Sequence, residues 1–94
     1  NLYMYEILVQ SLINKLNINV IVNDNGKFTL KLSSDIYKML NIERLFIEAT
    51  KICTRFNFVY RGNIIFISIP KLNLEKHYLY YVYDLLNYIE KNRK

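Results

Sequence analysis

Ser34-Asp-Ile-Tyr-Lys-Met-Leu-Asn-Ile-Glu-Arg-Leu-Phe-Ile-Glu-Ala-Thr-Lys-Ile-Cys-Thr-Arg-Phe56 decides how this chain folds. It reads as one long helix until its apolar residues are set on a helical wheel. At about 100° per residue, Ile36 and Leu40 point one way, while Leu45, Ala49, Ile52, Cys53 and Phe56 centre roughly 180° from them. A straight helix would need core on both sides. A break near Asn41-Ile42 gives two consistent helices, Ser34 to Leu40 and Glu43 to about Arg55, with Ser33 or Ser34 as N-cap and Asn41 as turn residue.

On either side of this pair the chain alternates. Between Ile18 and Leu32, a three-residue loop Asp24-Asn25-Gly26 pairs Val22 with Phe28, Val20 with Leu30 and Ile18 with Leu32 on one face, with Gly26 at the left-handed bulge position. A two-residue Asn-Gly loop would set Val20 opposite Lys31 and split the apolar set. Lys27, Thr29 and Lys31 then face water. Phe56 to Ile69 forms a second hairpin, whose Gly62-Asn63 pair suits a type II′ turn with Phe58 opposite Ile67 and Tyr60 opposite Ile65. Val59, Ile64 and Phe66 on its other face predict that this hairpin is covered on both sides and the first on one.

Residues 2 to 16 place Leu2, Tyr5, Leu8/Val9, Leu12 and Leu16 at helical spacing, with Glu6, Gln10 and Asn14 opposite. After Pro70, Asn73 can cap a last helix, Leu74 to about Lys91, whose polar residues Lys76, His77, Asp84, Asn87 and Lys91 fill only a ~100° arc. The expected fold is a small single α+β domain over residues 1–94, in the order α-ββ-α-turn-α-ββ-α. Ninety-four residues with 52% apolar content fit one core, and no linker, low-complexity tract or tandem repeat divides them.

Thirteen Ile, twelve Asn, nine Lys and nine Tyr against one Ala and no Trp form the residue set that AT-rich codons favour. An AT-rich genome, archaeal, viral, of a mobile element or of a parasite, inflates Lys and Tyr whatever the function. Of the net charge of +5, Lys91, Arg93 and Lys94 supply three. Cys53 is the one cysteine, so no intramolecular disulfide forms and a reducing compartment is the default. No run approaches the ~18 apolar residues of a membrane span, and no basic segment precedes a hydrophobic stretch at the start. A soluble cytoplasmic protein is expected, without a membrane partner.

The stretch from Ser34 to Ile47, followed by a helix and then a hairpin with Arg61 at its tip, resembles the helix-turn-helix and wing of winged-helix DNA-binding domains. The resemblance covers residues 33–69. Ile36, Leu40, Asn41, Ile42 and Ile47 fall where that pattern has apolar, apolar, Gly or Asn, apolar and apolar residues. Tyr37 stands where the family has a small residue, and a full hairpin separates the first helix from the motif. The resemblance implies that the helix 43–55 lies in the major groove of double-stranded DNA and the hairpin 56–69 acts as a wing. It implies a small dimeric regulator of transcription, or one of the plasmid or viral partition type.

Arg44, Glu48, Lys51 and Arg55 lie within about 60° of one another, opposite the apolar stripe of their helix. Arg44, Lys51, Arg55 and Arg61 are therefore the candidate DNA contacts, to guanine edges, phosphates or a narrow minor groove. Arg44–Glu48 and Glu48–Lys51 are equally the i,i+4 and i,i+3 pairs of a solvated face. On the last helix the apolar arc spans roughly 220°, more than one small domain usually covers. Tyr78, Tyr81, Val82, Leu85, Tyr88 and Ile89 are thus a candidate homodimer interface, with burial in the monomer as the competing outcome.

Nothing in the chain suggests catalysis, a metal, a cofactor or a small-molecule substrate. His77, the only histidine, sits on a polar arc and Cys53 on an apolar stripe, while both glycines serve hairpin turns. The element order also occurs in LAGLIDADG homing endonucleases, whose first helix ends in a metal-binding carboxylate; here it ends Asn14-Lys15-Leu16-Asn17. The alternative function is a non-catalytic homodimeric interaction module whose helices pack on one antiparallel sheet, somewhat similar to Roadblock-type dimers, although those have five strands and four are counted here. Two hairpins paired into one sheet, with 34–56 as one crossing helix, would favour that module. Convergence of the four cations on one protruding face would favour DNA.

Overall fold

The computed structural model describes residues 1–94, and every side chain except those of residues 23 and 24. Its elements are α1 (Leu2–Leu16), β1 (Asn19–Asp24), β2 (Lys27–Leu32), α2 (Ile36–Met39), α3 (Ile42–Ile52), β3 (Asn57–Arg61), β4 (Ile64–Pro70) and α4 (Tyr78–Asn92). This is the expected α-ββ-α-α-ββ-α order. The two hairpins join into one antiparallel sheet, β1-β2-β4-β3, so β4 is an interior strand and the second hairpin does not stand apart. In-register pairing of Leu30 with Ile67 and Leu32 with Ile65 brings the two apolar faces into one.

The break at Asn41 is present. Leu40 and Asn41 are both extended, and the Asn41 side chain accepts a hydrogen bond from the Arg44 backbone N–H at 3.0 Å. The N-cap therefore stops one helix from running through and starts the next. Shortened to four residues, α2 begins at Ile36 with Asp35 before it, not at a serine cap. Leu45 and Ala49 are completely buried, with Ile52, Cys53 and Phe56 packed at the margin, as the helical wheel requires.

One core lies between the sheet and the helices. Val9, Ile13 and Leu16 of α1, Leu45 and Ala49 of α3, and Leu79, Val82, Leu85, Leu86 and Ile89 of α4 meet Leu30, Leu32, Ile65, Ile67 and Ile69 of the sheet. All three long helices thus cover the same sheet face. Tyr5 of α1 packs edge-on against Tyr80 and Tyr83 of α4, at 4.5 and 5.3 Å between ring centroids. Lys15 closes the far end of this helix pair on Glu90 at 2.9 Å.

Several sequence expectations are corrected. The first hairpin turns through two residues, Asn25 and Gly26, both at positive φ, and the odd residue is taken up by an irregularity between Ile21 and Asp24. That keeps Val20 opposite Leu30 while giving Asn-Gly the turn it prefers; Val22 leaves the core side and is exposed. Thr29 does not face water but is buried, held between Ile21 and Ser68 on its neighbouring strands. The second hairpin is covered on one side only. Its turn is as expected, with Gly62 at φ 61° as the first central residue of a type II′ turn must be. Finally, α4 starts at Tyr78: Asn73 adopts the left-handed conformation in the connection, and His77 is the cap, its Nδ1 accepting from the Leu79 N–H at 3.2 Å.

Candidate interaction surface

The four candidate DNA contacts do not share one surface. On the outer face of α3, Glu48 takes both Arg44 Nε at 3.3 Å and Lys51 Nζ at 3.5 Å on one carboxylate oxygen. The helix expected to reach Arg55 stops at Ile52, so Arg55 sits in the turn beyond it, where it donates to the Asn73 carbonyl at 3.5 Å and ties that turn to the connection before α4. Arg61 lies elsewhere, on the sheet face without helices, its guanidinium 5.9 Å from the Phe66 ring centroid. Around it are Val59, Asn57, Ser68, Thr29, Ile21 and Lys27. The helical charge cluster and the hairpin tip therefore point from opposite layers.

The tyrosine row of α4 is largely inside the chain. Val82, Leu85 and Ile89 have no exposed surface, and Tyr78, Tyr81 and Tyr88 are half-buried against the core. Because α4 packs on α1, α3 and the sheet at once, the aliphatic part of its wide apolar arc is buried within the chain and its tyrosines are left half-buried. Phe28 also lies 5.4 Å from Tyr78. Burial, with Glu6 close by, pushes the Tyr78 phenol above its ordinary value of 10.0.

The junction between α3 and the edge strand β3 is uncovered. Ile42, Glu43, Phe46, Ile47, Phe58 and Tyr60 line an open groove of about 450 Å³ there. Phe46 is 49% exposed, Ile47 46% and Tyr60 49%, high values for large apolar side chains gathered in one place. The periodicity explains them: Leu45 and Ala49 turn α3 toward α4, so the next residues round the helix overhang β3 without reaching the core. Phe46 meets Phe58 edge-on at 5.2 Å, and Phe58 in turn stacks near Tyr60 at 6.4 Å. Burial, with Tyr37 nearby, raises the Tyr60 phenol.

Beside the groove runs a bare margin of sheet. β3 pairs with β4 through five unbroken positions, from Asn57↔Ser68 to Arg61↔Ile64, and nothing pairs its other side. It contains no proline, lysine or bulge of the kind that blunts sheet edges. A second apolar stripe, Tyr3, Met4, Ile7 and Leu8, lies on the side of α1 away from the core.

The sequence reading singled out Ile47 only as a position of the helix-turn-helix pattern. The available signal was the conflict between that pattern, which buries Ile47, and the helix period, which exposes it. Among the described residues, no group of three His, Cys, Asp or Glu side chains is gathered that could hold a metal ion. No helix is long and apolar enough to cross a membrane. Compared with known proteins, the chain matches no family model, no curated protein sequence and no solved structure.

Proposed function

We propose that the chain is a non-catalytic protein-interaction module that receives an extended polypeptide along β3, alternate side chains of the guest entering the groove under α3. The observation that carries this reading is the juxtaposition of an unpaired strand edge with the exposed Phe46, Ile47, Phe58 and Tyr60. Main-chain hydrogen bonds supply affinity in strand addition, and pockets for every second side chain supply selectivity. The one-sheet architecture supports it too, since hairpins paired side by side are the arrangement that such a module needs.

The regulator reading draws its support from the helix-turn-helix order and the net positive charge. Against it, Glu48 neutralises part of the α3 face, and Arg61 lies on the other layer. Selection of display peptides on the folded chain tests the module. Alternating apolar sequences should be enriched, and Phe46→Glu should abolish their binding. Titration of AT-rich duplex at low and moderate salt tests the rival: strong, salt-sensitive binding that weakens in Lys51→Ala and Arg61→Ala would sink the module reading.

A further inference from the structure

The geometry points to β3 of a second copy as the occupant of this edge, two chains pairing antiparallel about a two-fold axis at Val59 to make one eight-stranded sheet. The inference rests on the strand-addition reading and adds the identity of the guest.

Backbone alternation comes first. Across the two-residue turn at Gly62-Asn63, Arg61 and Ile64 exchange hydrogen bonds, and so in turn do Val59 with Phe66 and Asn57 with Ser68. Phe58 and Tyr60 therefore turn their N–H and C=O groups outward. With the axis at Val59, Phe58 of one chain faces Tyr60 of its partner, and the four outward groups on each strand find partners.

Side chains fit the same register. On the helix side, each Phe58–Tyr60 pair joins the two grooves into one apolar seam beneath both copies of Phe46 and Ile47. On the open side, Arg61 stands opposite Asn57 of the partner strand, so no like charges meet. Either two-residue slip, which keeps the faces matched, moves the axis to Phe58 or to Tyr60 and shortens the ladder from five facing positions to three, leaving the outward groups of Tyr60 or of Phe58 without a partner inside the strand. The other sheet margin offers no such match, because β1 is irregular between Ile21 and Asp24. The α1 stripe lacks a backbone row to set direction.

Sedimentation of the whole chain over a wide concentration range should show a monomer–dimer equilibrium. Tyr60→Pro removes an N–H that the chain's own sheet does not use, a change an edge strand tolerates. It should leave the circular dichroism spectrum intact and raise the dimer dissociation constant at least about tenfold, two bonds being lost per dimer. Val59→Cys in a Cys53→Ser background should give a disulfide-linked dimer on mild oxidation, since facing residues of a non-hydrogen-bonded pair lie ~4.5 Å apart between Cα atoms. A chain that stays monomeric while still selecting alternating peptides overturns the inference and leaves the module reading standing. A chain that neither dimerises nor selects peptides overturns both. Dimers that survive Tyr60→Pro but fall apart in Ile7→Glu assign the contact to α1 and likewise overturn it.

Discussion

Leu45 and Phe46 are sequence neighbours with opposite fates, and truncation should tell them apart. Leu45 is wholly buried, so Leu45→Ala should cost about 2–5 kcal/mol of folding stability in denaturant unfolding. Phe46→Ala, at a half-exposed site, should cost far less and should instead weaken self-association. Glu90 carries a different signature. The hydrogen bond from the Lys15 ammonium, opposed by desolvation and reinforced by the charges of Arg93 and Lys15, holds its carboxyl below the ordinary value of 4.5. As pH falls, the unfolded chain takes up the proton first; the stabilisation is therefore complete above 4.5 and disappears as pH drops through the lowered folded value. Melting curves of the parent and of Glu90→Gln should accordingly converge toward strong acid and separate near neutrality. At this scale the buried stripe was readable, because a period of 3.6 fixes which residues look inward. Thr29 was not, since its burial depends on Ile21 and Ser68 arriving from separate strands.

Among the elements, the break between α2 and α3 was legible from the reversal of its apolar face, and Asn41 does cap α3 as a residue of that type can. Asn41→Ala should remove the bond to the Arg44 N–H and cost about 1 kcal/mol, measurable as a lower denaturant midpoint with an unchanged slope. Gly62 at φ 61° gives a companion case, where Gly62→Ala should destabilise by about 1 kcal/mol through backbone strain alone, there being open space around its Cβ position. The first hairpin was misread because turn type and register were weighed as if the strand had to be regular; a bulge satisfies both at once. The start of α4 was misread for another reason. Leu74 continues the apolar spacing of the helix, but Asn73 in the left-handed conformation interrupts the path, and only His77 has its side chain placed to accept from the first turn.

For the molecule as a whole, residue order could not show that β2 and β4 would lie side by side. Their pairing is non-local, and it is favoured because it merges two half-faces into one surface large enough for three helices. The same packing half-buries the α4 tyrosines singled out as an interface and leaves α3 overhanging β3, where uncovered apolar surface collects beside a free strand edge. The α+β class and element order were thus legible, while the candidate surface required the third dimension. The irregularity in β1 carries a consequence for stoichiometry. With one sheet margin smooth and the other kinked, pairing through β3 closes on itself, and two subunits leave no template for a third. Deleting Val22, which would straighten the kinked margin, should convert a discrete pair into growing fibrils that bind thioflavin; a persistently bounded assembly would mean that something other than the kink stops growth.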